Sequence, residues 1–187
     1  MNDLIEAVEG YTCPAQRALR HLDAFLADPM CGQCFPCALG TYEARARLES
    51  MTRGEGTDDD VRVLERIAAA VLEGSKCRKG KDAARFLAEA IATPGFGEHA
   101  AGVCRDRECR SLTTYAVASD ICVRCGACKA ACVNDAIFGE PQQAFRAGYP
   151  AFEIRQRRCE RCGECAAACP HGALRATDVA LTGGRSR

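Results

Sequence analysis

The sequence is poor in the residues that enzymes and nucleic-acid-binding proteins use for recognition. Tryptophan is absent, aromatic residues make up 6% of the 187 residues, and 25 basic residues are balanced by 25 acidic ones. A formal net charge of zero argues against the basic surface of a nucleic-acid-binding protein. The sequence also has no phosphate-binding loop, no G-x-G-x-x-G fingerprint and no Ser/His/Asp arrangement. We therefore expect neither a nucleic-acid partner nor a catalytic residue.

Long apolar runs are absent as well. Charged residues interrupt every apolar stretch before it reaches the roughly 20 residues that a membrane-spanning helix needs. Residues 1–10 are acidic and amphipathic, unlike a secretory signal, and Arg157-Arg158 lies too late for a twin-arginine signal. The sequence predicts a cytoplasmic protein with no membrane insertion.

Cysteine, by contrast, is abundant. The chain contains 15 cysteines, a density that in a small secreted protein would indicate a disulfide framework. Because we expect a reducing compartment, we interpret these cysteines as metal ligands. A chain with many redox-metal ligands and no substrate machinery is most simply an electron carrier.

Eight of the cysteines form two copies of a C-x2-C-x2-C-x3-C motif, and Pro170 follows the second copy. Disulfides and zinc are the alternatives, but zinc takes four ligands in all, and two tandem groups of four would be an unusual way to supply them. The motif resembles that of the two-cluster bacterial ferredoxins, in which the fourth cysteine of each run ligates the other cluster. We expect the first three thiolates on one tight loop and the fourth inside a short helix that directs it to the neighbouring cluster.

This resemblance implies two [4Fe–4S] clusters with crossed ligands. The expected ligand sets are Cys122, Cys125, Cys128 and Cys169 for one cluster, and Cys159, Cys162, Cys165 and Cys132 for the other. Short strands from Leu112 to Ala118 and from Ala173 to Thr177 are predicted to pair and close this region. A further strand is predicted from Tyr149 to Arg155.

Before these motifs, the sequence has the period of helices. The predicted helices run from Pro14 to Asp28, from about Pro36 to Met51, from Thr57 to Gly74 and from Cys77 to Thr93. Four helices joined by short turns predict a small bundle. Apolar residues at steps of three and four define the expected core-facing sides, among them Leu19, Leu22 and Phe25 in the first helix, Leu39, Tyr42, Ala46 and Leu48 in the second, Leu64 and Val71 in the third, and Phe86 and Leu87 in the fourth.

A third cluster is predicted at one end of this bundle. Cys31, Cys34 and Cys37 repeat the C-x2-C-x2-C spacing before the second helix but have no fourth cysteine close behind them. Cys77 precedes the fourth helix, and alternate turns of an up-down bundle lie at the same end. We therefore expect these four cysteines to bind one [4Fe–4S] cluster.

The same residues carry a second resemblance. The run Cys31-Gly-Gln-Cys-Phe-Pro-Cys-Ala-Leu-Gly-Thr, with Cys77 in a Gly-, Lys- and Ala-rich setting, resembles the C-terminal helical domain of the NADH-oxidising flavoprotein subunit of complex I. That domain holds one [4Fe–4S] cluster. A helical cluster domain followed by a two-cluster ferredoxin is similar to the C-terminal part of the flavoprotein subunit of NADH-linked multimeric [FeFe]-hydrogenases. The resemblance covers roughly Ala15 to Thr177.

The resemblance implies an electron-transfer subunit that is not itself an enzyme. The flavin- and NADH-binding domains of that family have no counterpart in this sequence, so we expect a separate NAD(P)H-oxidising subunit to carry the flavin. The other partner would be a catalytic subunit, such as a hydrogenase or a molybdenum or tungsten enzyme. The alternative is a regulatory or structural module whose clusters sense oxidation or hold the fold. A cluster domain of the DNA-repair type is disfavoured by the neutral charge.

Three cysteines remain, and His99 is spaced with two of them as H-x4-C-x4-C. A tetrahedral Cys3His zinc site formed by Cys13, His99, Cys104 and Cys109 is one interpretation. A fourth [4Fe–4S] cluster on the same residues, three ordinary buried thiols and a Cys104–Cys109 redox pair also remain open. His21 and His171 have no such neighbours in the sequence, and we expect solvated or core roles for them.

The predicted fold class is α+β, in which a small four-helix bundle iron–sulfur domain is followed by a ferredoxin-type 2[4Fe–4S] domain. The predicted boundaries are a helical bundle with one cluster at 1–95, a connector with the possible zinc site at 96–111, a two-cluster ferredoxin domain at 112–178 and a loose tail at 179–187.

Overall fold

The computed structural model describes residue 4, residues 6–143, residue 148 and residues 150–179. The described chain combines α-helices with short strands, which confirms the predicted mixed α+β class. It divides into two compact units, Met1–Leu112 and Thr113–Arg187, here called the N-terminal unit and the C-terminal unit. Among the described residues, no helix is both long and apolar enough to cross a membrane. Apart from Val179, the predicted loose tail lies outside the described residues.

Four helices pack together in the N-terminal unit. They are α1 (Pro14–Ala27), α2 (Phe35–Arg53), α3 (Asp58–Gly74) and α4 (Arg78–Ala92). Each helix packs against the next, and α4 packs back against α1. The chain after α4 forms two short 3-10 turns, Gly97–Ala101 and Arg110–Leu112, of which the first contacts α3 and both contact α2.

The start of α3 follows from its sequence. The Asp60 carboxylate accepts hydrogen bonds from the backbone N–H of Thr57 at 2.8 Å and from its hydroxyl at 2.7 Å. Asp58, Asp59 and Asp60 all lie in the first turn, where the positive end of the helix dipole stabilises negative charge. The predicted N-cap at Thr57 is therefore confirmed.

The core of the N-terminal unit includes more than the helices. Leu22, Leu48 and Leu64 are at most 1% exposed and belong to one buried cluster. Phe96 and Leu112, from the chain after α4, belong to the same cluster. The segment that follows α4 is therefore packed into the hydrophobic core that the helices form.

The predicted apolar face of α2 is wrong. Leu39 and Tyr42 are 58% and 54% exposed, and Ala46 is exposed as well. The buried positions of this helix are instead Cys37, Thr41, Ala44, Leu48, Met51 and Thr52. Thr41 is buried without loss of its hydrogen bond, because its hydroxyl donates to the carbonyl of Cys37 at 2.7 Å. Small and polar residues form most of the inner face, so a search for large apolar side chains selects the outer one.

The C-terminal unit contains two small antiparallel sheets and two short helices. The strands are β1 (Thr113–Val117), β2 (Ile137–Phe138), β3 (Glu153–Ile154) and β4 (Leu174–Asp178), and the helices are α5 (Ala127–Ala130) and α6 (Glu164–Ala167). Strand β1 pairs with β4, and β2 pairs with β3. Thr113 lies opposite Asp178, and Val117 lies opposite Leu174. The predicted pairing of the first and last strands is confirmed.

Two predictions for this unit need correction. The strand expected from Tyr149 to Arg155 is reduced to β3, and Tyr149 lies outside the described residues. The fourth cysteine of the first motif does not lie inside a helix: Cys132 follows the C-cap residue Ala131, and it is the third cysteine, Cys128, that lies in α5. The helix starts early because Gly126, at φ 86°, is its N-cap, so its single turn is complete before the chain reaches Cys132.

Candidate metal centres

The first group of cysteines lies where two helices begin. Cys34 is the N-cap residue of α2, Cys37 lies in its first turn, and Cys77 is the N-cap residue of α4. Helix N-termini present unpaired N–H groups and a partial positive charge, which favour the negative charge of thiolates. The packing of the helices therefore brings two such N-termini to one set of sulfurs.

Contacts around Cys37 show that the predicted group of four is assembled. Burial raises the pKa of the Cys37 thiol, the nearby Ser75 hydroxyl favours the thiolate, and the neighbouring thiols of Cys77, Cys34 and Cys31 raise the pKa further. The backbone N–H of Lys76, next to Cys77, donates to the Cys34 sulfur at 3.4 Å. Four converging thiols with backbone donors fit an iron–sulfur cluster, whose positive iron would relieve the repulsion between thiolates.

Gly80 allows α4 to approach this group closely. A Cβ atom at this position would lie 3.0 Å from the Cys37 sulfur and 2.7 Å from the Ser75 hydroxyl oxygen, which is closer than real Cβ contacts. The absence of a side chain is therefore a steric requirement of the site. The sequence alone gives no sign of it, because a glycine in the first turn of a helix has no distinctive pattern.

The two motifs of the C-terminal unit fold as copies of one loop. Arg124 and Arg161, each just before the second cysteine, both have φ 58°, a left-handed conformation that is rare for residues with side chains. Gly126 and Gly163 follow the second cysteine with φ 86° and 85°. The matching backbones show that the repeated cysteine spacing is a repeated local structure.

The fourth cysteine of each copy lies with the first three of the other copy. Two cavities show this grouping: the lining of one includes Cys122, Cys125, Cys128 and Cys169, and the lining of the other includes Cys132, Cys159, Cys162 and Cys165. Burial raises the pKa of Cys165 to about 11, and Cys159, Cys162 and Cys132 add to the shift. Burial likewise raises the pKa of Cys128, with Cys169, Cys122 and Cys125 acting in the same direction. This is the grouping that crossed ligation requires.

Backbone N–H groups point at the sulfurs in both copies. Ala136 donates to the Cys132 sulfur at 3.3 Å, and Ala173 donates to the Cys169 sulfur at 3.4 Å. Although burial raises the pKa of Cys169, backbone N–H groups including that of Ala173 outweigh it and lower the pKa overall. Such donors stabilise thiolates, so the donor set fits a cluster with anionic sulfur ligands.

The remaining four candidate ligands also come together, in the N-terminal unit. The Cys13 sulfur lies 3.8 Å from the Cys109 sulfur, 3.7 Å from the Cys104 sulfur and 3.2 Å from Nε2 of His99. All four ligand atoms lie within 4.8 Å of one another, and all four residues are buried. The group joins the N-cap of α1 to the chain after α4.

These spacings agree with one small ion. A tetrahedral zinc about 2.3 Å from each sulfur would hold its sulfur ligands about 3.8 Å apart. The two sulfur–sulfur distances from Cys13, 3.8 and 3.7 Å, match that value. A cube of four irons and four sulfides needs its cysteine sulfurs further apart, because its own atoms lie between them. The geometry therefore fits zinc better than a fourth cluster.

The orientation of His99 suits a metal ligand. Its Nδ1 lies 3.0 Å from the carbonyl oxygens of Gly95 and Phe96, which leaves Nε2 directed at Cys13. A zinc-ligating histidine characteristically donates its other ring N–H to a carbonyl or carboxylate in this way. Burial alone would lower the pKa of His99, but hydrogen bonds and negative charge from Cys104 and Cys13 raise it to about 10. Those partners also lower the pKa of Cys104, so the pocket favours thiolate over thiol.

A carboxylate holds one of these ligands in place. Glu108 accepts hydrogen bonds from the backbone N–H of Cys13 at 3.0 Å, and from the N–H and hydroxyl of Thr12, both at 2.8 Å. It thereby ties the start of α1 to the loop that carries Cys109. Sequence reasoning missed Glu108, and its position next to Cys109 is the only hint that the sequence offers.

The other two histidines are not drawn into the N-terminal sites. His21 is buried and stacks on Phe86, with 4.0 Å between ring centroids and 8° between ring planes. Burial lowers its pKa to about 4, so it stays neutral. His171 is exposed, although it contributes to the lining of the cavity that contains Cys169.

Comparison with known families divides the chain at the same places. Residues 17–94 match the NADH-ubiquinone oxidoreductase-F iron-sulfur binding region, and residues 121–173 match the 4Fe-4S dicluster domain. These matches confirm both resemblances drawn from the sequence. They include the first group of cysteines and both repeated motifs. Cys13, His99, Cys104 and Cys109 lie outside both matched regions.

Individual relatives belong to NAD(P)-linked oxidoreductases. The chain is 28% identical over 123 residues to the NADP-reducing hydrogenase subunit HndC of Solidesulfovibrio fructosivorans, which covers 64% of this chain and 25% of that protein. It is 35% identical over 79 residues to the NADP(+)-dependent formate dehydrogenase subunit beta of Moorella thermoacetica, covering 41% of this chain and 11% of that protein. A match of 31% over 67 residues to a subunit of the NADH-quinone oxidoreductase of Aquifex aeolicus covers 36% and 16%. The chain thus spans a quarter or less of the length of these relatives.

Proposed function

We propose that this chain is a non-catalytic electron-transfer subunit that relays single electrons between a flavin-bearing NAD(P)H-oxidising subunit and a catalytic oxidoreductase subunit. The catalytic partner would be a hydrogenase or a molybdenum or tungsten enzyme such as a formate dehydrogenase. The names of the relatives support this choice, since they include subunits of an NADP-reducing hydrogenase and an NADP(+)-dependent formate dehydrogenase.

The observation that carries the proposal is the convergence of twelve cysteines in three groups of four. Each group would bind one [4Fe–4S] cluster, and each cluster, when bound, supplies one-electron redox chemistry. The proposed ligand sets are Cys31, Cys34, Cys37 and Cys77; Cys122, Cys125, Cys128 and Cys169; and Cys132, Cys159, Cys162 and Cys165. The role of these cysteines is to hold the clusters and, through the backbone N–H groups around them, to favour the anionic sulfur.

The fourth group would have a different role. Cys13, His99, Cys104 and Cys109 would bind one zinc ion, which has no redox chemistry of its own. The zinc would fix the loop after α4 to the start of α1 and so stabilise the four helices as a bundle. In this division of labour, the predicted segment 96–111 serves the stability of the first cluster site.

Exposure of the cluster ligands suits a relay. Cys31 and Cys77 in the N-terminal unit, and Cys125 and Cys162 in the C-terminal unit, are exposed. A cluster with an exposed ligand lies near the surface, where a redox partner can approach it. Each unit would therefore offer at least one point of entry or exit for electrons.

The proposal is tested by counting electrons. The anaerobically purified chain is titrated with reduced methyl viologen and then reoxidised with a mild acceptor, while cluster absorbance and iron content are followed. We expect about three electrons per chain, one for each proposed cluster, returned over repeated cycles without loss of iron. NADPH alone should give no reduction until a flavin-bearing NADPH oxidoreductase is added.

The opposite outcome would favour the alternative of an oxidation-sensing module. Clusters that lose iron or change type after one cycle of oxidation would be unsuited to a relay. Direct reduction by NADPH without a flavoprotein would contradict the division of labour proposed for the subunits.

A further inference from the structure

The turn before Cys77 contains a buried hydroxyl that the proposed function does not use. Ser75 is 3% exposed, and its Oγ makes no hydrogen bond of ordinary geometry in the structure. A buried hydroxyl without a partner costs free energy, so its position needs an explanation.

The neighbour of this hydroxyl is a cluster ligand. The position that a Cβ of Gly80 would occupy lies 2.7 Å from Ser75 Oγ and 3.0 Å from the Cys37 sulfur, so the oxygen and the sulfur lie on two sides of one small gap beside the glycine. The backbone N–H of Ser75 is already used, because it donates to the carbonyl of Val71 at 3.0 Å. The hydroxyl can rotate freely about its C–O bond, and the sulfur beside it becomes a strong acceptor when it carries negative charge.

We infer that Ser75 is a positioning residue whose hydroxyl donates a hydrogen bond to the Cys37 sulfur and so raises the midpoint potential of the cluster in the N-terminal unit. Reduction adds one electron to the cluster and makes its sulfurs more negative. A donor to sulfur stabilises the reduced form more than the oxidised form, which raises the potential. The residue therefore favours the acceptance of an electron at this cluster.

Ser75 differs in kind from the donors seen in the C-terminal unit. There, the sulfurs of Cys132, Cys169 and Cys159 accept hydrogen bonds from backbone N–H groups. A backbone donor is retained whatever the side chain, whereas the donor at Ser75 can be removed by one substitution. The potential of the first cluster is thus open to adjustment by the identity of a single residue.

The inference rests on the proposed cluster at Cys31, Cys34, Cys37 and Cys77, and the test is a redox titration of the anaerobically purified full chain. The cluster's electron paramagnetic resonance signal is assigned by its loss in Cys77→Ala. In Ser75→Ala, the ratio of reduced to oxidised cluster at the parent's midpoint should fall from one to between about a third and a tenth, and a tenfold change corresponds to 59 mV for a one-electron couple. Ser75→Thr, which keeps the hydroxyl, should restore the ratio to within about twofold.

A matched control separates the sulfur contact from general packing. Thr41 is also buried beside Cys37, but its hydroxyl donates to the Cys37 carbonyl and not to the sulfur. Thr41→Val should therefore lower the stability of the N-terminal unit while changing the ratio by less than Ser75→Ala does. An equal change in both variants would assign the effect to packing and overturn the inference.

Two further results would contradict it. One is an unchanged potential in Ser75→Ala with its iron retained; that result leaves the proposed function intact, whereas a parent chain without cluster iron would contradict the proposed function itself. The other concerns the parent chain and needs no variant. After exchange into D2O, electron–nuclear double resonance of the reduced cluster should detect a strongly coupled deuteron that disappears in Ser75→Ala or, if that variant loses iron, persists in Ser75→Thr. Absence of that deuteron in the parent would overturn the inference.

Discussion

The two units bring their cysteines together by different means. In the C-terminal unit, each group of four combines two copies of one short loop, and the copies share unusual backbone angles at Arg124 and Arg161. In the N-terminal unit, the groups join segments far apart in the sequence, such as Cys13 with Cys109. The first arrangement depends on local structure, whereas the second depends on the packing of four helices. Metal binding and folding should therefore be coupled more tightly in the N-terminal unit.

Burial supports this difference. Cys13, Cys104 and Cys109 are fully buried and belong to the same hydrophobic cluster as Leu22 and Leu48. In the C-terminal unit, four of the eight cysteines are only partly buried and two are exposed. Loss of metal would thus disturb a hydrophobic core in one unit and mainly surface loops in the other.

The largest expected effect tests the crossed ligation of the C-terminal unit. Cys132→Ala should remove the cluster shared with Cys159, Cys162 and Cys165, about four irons per chain, because Cys132 lies with those three sulfurs. Adding Cys162→Ala to this variant should cost no further iron, since both residues serve one cluster. Adding Cys125→Ala should cost about four more irons, and iron analysis of the purified variants measures the difference.

The reverse pattern would show that each motif ligates its own cluster. In that case Cys132→Ala with Cys125→Ala would lose no more iron than either alone. The N-terminal unit supplies the control: its unfolding transition should be unchanged in all of these variants.

The second prediction sharpens the comparison by removing the proposed zinc. Cys104→Ser should release one zinc per chain and leave the iron of the C-terminal unit unchanged. A structural zinc can contribute on the order of 10 kcal/mol to folding, so the N-terminal unit should unfold at much lower denaturant and become sensitive to protease after α4. Loss of about four irons with no loss of zinc would identify a fourth cluster, and no change in either metal would identify ordinary thiols.

The third prediction concerns pH and the N-terminal unit alone. Burial lowers the pKa of His21 from 6.5 to about 4, so between these values the unfolded chain binds a proton that the folded unit does not. Stability contributed by neutral His21 is complete above pH 6.5 and is lost as pH falls towards 4, by about 3 kcal/mol at most. His21→Phe can still stack on Phe86 but cannot titrate, so denaturant unfolding of the N-terminal unit should lose less stability over this range in the variant. Parallel curves for variant and parent would contradict the assignment.

The smallest effect concerns the carboxylate that holds Cys13. Glu108→Gln keeps the size of the side chain but weakens three hydrogen bonds to Thr12 and Cys13. Loss of such an outer contact typically lowers metal affinity ten- to a hundredfold, measurable by competition with a zinc chelator. Asp106→Asn is the matched control, because Asp106 accepts only the longer bond, 3.2 Å, from the Thr12 hydroxyl. Equal effects of the two substitutions would deny Glu108 a special role.

The same difference between the units explains what the sequence could predict. The spacing of the repeated motifs predicts the grouping of cysteines that the C-terminal unit adopts, because a local loop is encoded by local residues. The helices of the N-terminal unit and the cap at Thr57 are predictable for the same reason. The inner face of α2 is not, because Thr41 and Ala44 are buried while Leu39 and Tyr42 are exposed. That choice is made by tertiary packing.

Single polar residues are the least predictable part of the sites. Ser75, Gly80 and Glu108 act through a few local contacts each, and no periodicity or motif distinguishes them from loop or helix residues elsewhere. Cys13 enters the candidate ligand set only because it remains once the other cysteines are assigned. Its distance to His99 depends on the packing of α1 against the chain that follows α4.

Metal and sulfide analysis of the anaerobically purified full chain tests the central claim most directly. Three cube clusters and one Cys3His site predict about twelve irons, about twelve acid-labile sulfides and one zinc per chain. The visible absorption of iron–sulfur charge transfer should accompany them. Sixteen irons without zinc would contradict the separation of three redox centres from one structural ion, and zinc alone without sulfide would contradict the account as a whole.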